Sequence, residues 1–375
     1  MAIDRRALLV GTACGLIAGG GLTAHAQAQL APALYAAARR GGDDRYWAAL
    51  FTEDGRDVNA VALPGRGHDI TVSAIDRTCV VFARRPGNFA VAFSPDRQRE
   101  PIVFTTPPDR HFYGHGVFSR DGRLLYATEN DFHGVRGIIG IYDVSAGYRR
   151  IGEFSSGGVG PHDLALLGDQ PVLVIANGGL IEHPDLGNGR RILNPDAIET
   201  TLAYVDLRTG HLLERHELGA AGALSLRHLD VAHDGTVIIG AQVAHGPVGA
   251  QSLVYRHRRQ SPLQAIVLPA VTERALSGYV SSIACDRDGV LVAITSSKGA
   301  SAVVLDIASG NVLRTHTLDD VSGIAPARES AEFLATAGTG KLARLDGKND
   351  AQTSGVSTPW IWDNHAVFVG DGISG

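Results

Sequence analysis

Histidine recurs at one point of a repeating unit. His115, His228 and His365 each stand six residues before an Asp-Gly pair, at Asp121-Gly122, Asp234-Gly235 and Asp371-Gly372. His68 and His162 head two further units of the same design, Ser282 keeps the offset from Asp288-Gly289, and Gly323 heads the remaining unit. Neutral imidazole is a ligand for copper, iron and zinc. Seven heads, five of them histidine, therefore predict a ring that gathers His68, His115, His162, His228 and His365 around a transition metal. A structural role is the competing reading, because WD repeats keep a Gly-His pair within each blade. Gly67-His68 and Gly114-His115 fit that spelling, and the other three histidines lack the glycine.

Further polar residues fall where a second strand ends, as Glu129, Asn177 and His183 do, or beside a histidine head, as Asp163 and Arg227 do. Glu129 and Asp163 are candidate carboxylate or outer-sphere ligands, and Asn177, His183 and Arg227 are candidate substrate-binding residues. Arg110, Arg190 and Arg191 join Arg227 as cations able to hold an anionic substrate. A long insertion, residues 178–194, starts at the same end of a strand and can lie over the site as a lid or form an ordinary long loop. A nucleophile elbow, a His-Glu-x-x-His pair and a phosphate-binding loop are all missing. That excludes the common grammars of serine hydrolysis and nucleotide chemistry.

The elements that must position these residues are short strands. The heads are spaced by 47, 47, 66, 54, 41 and 42 residues from His68 to His365. Such periods, with β-rich runs and glycine-marked turns, are the signature of a β-propeller. Asp-x-x-x-Gly recurs at Asp143 to Gly147, Asp206 to Gly210 and Asp306 to Gly310. Aspartate bonds the backbone two residues on and glycine tolerates positive φ, so each is the turn of an outer hairpin.

The chain ends supply the closure. Leu34 to Ala38, Tyr46 to Phe51 and Val58 to Leu63 read as second, third and fourth strands with no first strand before them. His365 to Val369 reads as a first strand with nothing after it. The fold expected is all-β, a seven-bladed WD40/YVTN-like propeller over residues 27–375, closed by the C-terminal strand joining the N-terminal blade. Closure removes the open sheet edges of an unclosed array.

With 44% hydrophobic and 19% charged residues and a net charge of -5, the composition is that of a globular protein with a large core. No basic run is present to bind nucleic acid. Residues 1–26 read as a twin-arginine export signal: Arg5-Arg6, an apolar stretch to Leu22, and Ala24-His25-Ala26 as cleavage site. The apolar stretch is short and glycine-diluted against the ~20 residues of a span, so no stable membrane insertion is expected after cleavage, and the protein is placed in the periplasm. Cleavage removes Met1, the only methionine, and leaves Cys79 and Cys285 in separate units. Both are read as small buried hydrophobes in preference to a disulfide, which an oxidising compartment would permit.

Several segments resemble a known family. Arg110 to Gly116, Thr128 to Asp131, Gly160 to Leu164, Ala176 to Gly179, Leu226 to His228 and Trp362 to His365 are similar to an uncharacterised family of twin-arginine-exported bacterial propeller proteins. Its genes often lie beside those of imelysin-type periplasmic iron-uptake proteins and a di-haem oxidoreductase-like protein. The resemblance implies a periplasmic role in iron acquisition, with iron-uptake proteins as partners. Nitrous oxide reductase, whose seven-bladed propeller carries a histidine-ligated copper cluster, supports the geometry alone. Three readings stay open: a metal-binding propeller, a lactonase-like or oxidoreductase enzyme using the same mouth, and a non-catalytic interaction platform.

Overall fold

A computed structural model describes residues 32–187, 191–218, 224–248, 251–349 and 354–371. The expected signal, residues 1–26, and Arg190 lie outside the described residues.

Seven four-stranded antiparallel sheets form the blades. Six take four consecutive strands, and the seventh places the C-terminal strand Ile361–Asp371 beside Ala33–Arg40, Tyr46–Thr52 and Asp57–Ala62. Tyr35 pairs with Phe368, Ala36 with Val367 and Ala37 with Ala366. The innermost strand of each blade touches that of the next, and Ile361–Asp371 touches both Val321–Pro326 and Gly67–Val72, which closes the ring. The protein is a seven-bladed β-propeller closed in the manner read from its chain ends.

Burial follows radial position. Second strands such as Val172–Asn177 and Leu291–Ser296 are buried throughout, because both faces are covered by neighbouring blades. The outer strand Arg149–Ser155 alternates exposed and half-buried residues, as a solvated edge strand does. The outer hairpins turn as expected: Asp206 Oδ1 accepts the amides of Arg208 and Thr209 at 2.8 and 3.0 Å, and Gly210 takes φ +71°. Cys79 and Cys285 are buried free thiols. Among the described residues one short helix, Ala270–Leu276, precedes the Ser282 blade, and no helix is long and apolar enough to cross a membrane.

Candidate metal centre

The five histidines lie within the innermost strands, not in loops before them. Each stands where its strand breaks register with the second strand. The irregularities fall between Gly67 and Ile70, Phe112 and Gly116, Pro161 and Asp163, and Leu226 and Leu229. The C-terminal strand shifts between Trp362 and Ala366. A bulge adds unpaired residues and re-aims a side chain, which here turns an imidazole toward the channel. The Ser282 strand pairs without such a shift.

All five imidazoles are buried and form one cluster. Ring centroids lie 4.8 Å apart for His68 and His365, 4.7 Å for His365 and His228, 4.8 Å for His228 and His162, and 5.8 Å for His162 and His68. His115 sits against all four, at 4.9 Å from His68, His162 and His365 and 5.5 Å from His228. Two triples, His68 with His115 and His162, and His115 with His228 and His365, each hold their ligand nitrogens within 4.8 Å of one another. The cluster can therefore hold a metal.

Partners at the ring nitrogens separate the two triples. Arg84 Nη1 lies 3.5 Å from His68 Nδ1, and Arg227 Nη1 lies 3.2 Å from His162 Nδ1. Arginine only donates, so these two rings accept at Nδ1. In the other triple, His115 Nε2, His228 Nδ1 and His365 Nε2 are buried with no hydrogen-bond partner. A buried polar atom without a partner carries a full desolvation penalty, and three such nitrogens on neighbouring rings of one cluster suit a shared cation. His365 Nδ1 lies 3.1 Å from Ser282 Oγ, and His115 Nδ1 lies 3.1 Å from Asp69 and 3.3 Å from Asp163. Metal-binding histidines are oriented in this way, through the nitrogen that does not ligate.

Protonation follows the same division. Burial, then neighbouring cations and imidazoles, holds His68, His162 and His228 well below the ordinary histidine value, and burial lowers His365 to about 4. Burial also opposes charge on His115, but Asp163 and Asp69 together outweigh it and push the ring up to about 10.

The cluster divides the channel into unlike halves. On one side a cavity of about 40 Å³ is lined by His68, His162 and His228 with Arg84, Arg85, Arg227, Tyr113, Gln242, Tyr279 and Asn364. On the other, a cavity of about 350 Å³ runs between the inner strands past His115, His228, His365, Asp69, Asp163 and Asp230. One side is basic and the other acidic.

Of the remaining candidates, Asp163 and Arg227 contact the cluster directly, whereas Glu129, Asn177, His183 and Arg110 have their contacts elsewhere. Glu129 is buried inside its blade, where it accepts from Tyr142 Oη at 2.6 Å and from Arg150 at 3.1 and 2.8 Å. Its carboxylate is held by those partners inside the blade. Asn177 donates to the carbonyl of Ser156 at 3.0 Å between strands. His183 packs with Phe132 and His133 at ring distances of 5.0 and 5.5 Å, away from the five-ring cluster. Arg110 is drawn to Asp131 and Glu153, at 3.5 and 3.3 Å.

Within the insertion, Glu182 makes contacts to two other blades. Buried Glu182 reaches Arg85 of the His68 blade at 2.9 Å, and its carbonyl accepts from Asn130 of the His115 blade at 3.3 Å. Sequence reasoning missed Asp69, Arg84, Arg85 and Tyr113. A signal existed for the first: His68-Asp69 and His162-Asp163 repeat one dipeptide.

A family model described as "Protein of unknown function (DUF1513)" matches residues 61–369. The chain belongs to the DUF1513 family. No curated protein sequence matches it. Among solved structures it is similar to a chain of the "Crystal Structure of Mitotic Checkpoint Complex", at 14% identity over 78% of this chain and 80% of that one, TM-score 0.54. It is also similar to "Kuenenia stuttgartiensis Hydrazine Synthase", at 12% identity over 91% of this chain and 99% of that one, TM-score 0.58. At such identities the likeness is one of fold alone.

Proposed function

We propose that this protein binds one divalent transition metal at the hub of the propeller, chiefly through His115, His228 and His365. His68 and His162 complete the cage. The observation that carries the reading is the close triple of His115, His228 and His365, each ring of which has one buried nitrogen without a partner. Imidazole suits copper, iron and zinc alike, and the described residues place no thiolate in the cage. Three chief histidine ligands is also the protein ligand count of catalytic zinc sites, so a metal-dependent enzyme is the second reading. The role in iron acquisition, beside periplasmic iron-uptake proteins, rests on the family resemblance, and export rests on Arg5-Arg6 with Ala24-His25-Ala26.

Elemental analysis of protein purified from the periplasm tests the central claim, with about one copper, iron or zinc per chain expected. Protein that stays metal-free after equilibration with all three ions removes it and leaves the interaction platform. Turnover that appears only in the metal-loaded form would favour the enzyme. Export that persists unchanged in an Arg5→Lys, Arg6→Lys variant would remove the twin-arginine assignment.

A further inference from the structure

The cavity on the basic side of the imidazole cage has a charge its own residues do not balance. Arg84 lies 3.2 Å from Asp363, and Arg85 lies 2.9 Å from Glu182. Arg227 is 4% exposed, and among the described residues no carboxylate stands within ion-pair distance of it. Its Nη1 is directed to His162 at 3.2 Å, and its Nε is buried with no partner. Tyr113, 1% exposed, lines the same cavity, and its hydroxyl is buried with no partner. Burying an unpaired guanidinium is costly unless a counter-charge meets it, and a cation in the cage would add to the imbalance.

We propose that this cavity binds a carboxylate-class oxyanion, held by Arg227 and the Tyr113 hydroxyl beside Arg85. The guanidinium fork matches a planar carboxylate or carbonate in two parallel hydrogen bonds. A space of about 40 Å³ admits an ion the size of formate or bicarbonate, or one carboxylate end of a larger acid. The anion site stands on the cavity's own residues. Only its position next to a bound metal rests on the metal reading, which the anion would deepen by neutralising the loaded centre.

Calorimetric titration of the mature protein, metal-free and then zinc-loaded, with formate, bicarbonate, citrate and phosphate at constant ionic strength tests this. Saturable one-to-one binding of formate or bicarbonate is expected in the metal-free protein, and tighter binding in the loaded one. Arg227→Gln should weaken it at least tenfold and Tyr113→Phe severalfold. Arg120→Gln, at a surface pair with Asp169, should leave it unchanged. Citrate that displaces formate would identify the end of a larger acid, and citrate without effect a free small ion. Tyr113→Phe removes one hydroxyl only, so the test holds if Arg227→Gln does not fold. Absence of formate and bicarbonate binding in both states, binding of phosphate alone, or equal binding by wild type and Tyr113→Phe would overturn the proposal. A parallel zinc titration separates the two claims, since anion binding without zinc binding sinks only the metal reading.

Discussion

His115 belongs to both histidine triples and is the ring that two carboxylates hold. His115→Gln should therefore lower retained metal at least tenfold, read by elemental analysis after dialysis, while His211→Gln on an exposed turn leaves it unchanged. Asp69→Asn keeps the shape but weakens the orientation of His115, and loss of such a partner costs roughly 10–100-fold in metal affinity. Titration of imidazoles near 6.5 would make binding fail as pH falls through that value, but burial moves four of the rings lower. The exception is His115, raised to about 10, which carries a proton at pH 7 that a metal must displace. Metal binding should release about one proton per ion at pH 7, and affinity should rise about tenfold per unit between pH 6 and 8. Calorimetry in buffers of different ionisation enthalpy measures this, and zero proton release would refute the assignment of His115 as a ligand.

At the scale of the element, the bulge is the device that builds the site. An unbroken inner strand alternates its side chains between the two blade faces, and both faces are occupied by packing. The extra residues at His68, His115, His162, His228 and His365 release one side chain from that alternation. Gly114 shows the cost of the arrangement. Its φ is +110°, and an added Cβ would overlap the His68 ring. A side chain held in such a conformation costs on the order of 1–3 kcal/mol. Gly114→Ala should lower the melting temperature and also reduce metal binding by displacing His68. An alanine variant that melts and binds like the wild type would show that the bulge adjusts freely.

For the whole molecule, the critical contact is the one that joins the chain ends. Trp362 is buried against Phe51, with ring centroids 4.6 Å apart, and Tyr35 meets Phe368 edge-on at 5.6 Å. Deleting residues 361–375 would uncover the full length of Ala33–Arg40 together with its apolar neighbours. Exposed strand edges and apolar patches drive association. The truncated protein should aggregate or lose its single cooperative melting transition, observable by calorimetry and light scattering. A truncated chain that melts like its parent would mean the closing strand contributes little to the ring.

Much of this architecture was legible because its causes are local. Asp-Gly and Asp-x-x-x-Gly turns depend on residues a few positions apart, and repeating them sets the blade count, the strand order and the unpaired first strand at the C-terminus. The same periodicity singled out the five histidines. It could not show that His115 would stand against the other four, because bulges alter register and register depends on the paired strand. Nor could it show that Glu129 would be consumed by Tyr142 and Arg150 inside its own blade, or that Asp363 would meet Arg84 from 279 residues away. Sequence alone determined the ring and its histidine heads. Tertiary structure decided which nitrogens are left without partners and which side of the cage is basic, since both depend on side chains brought together only when the ring closes.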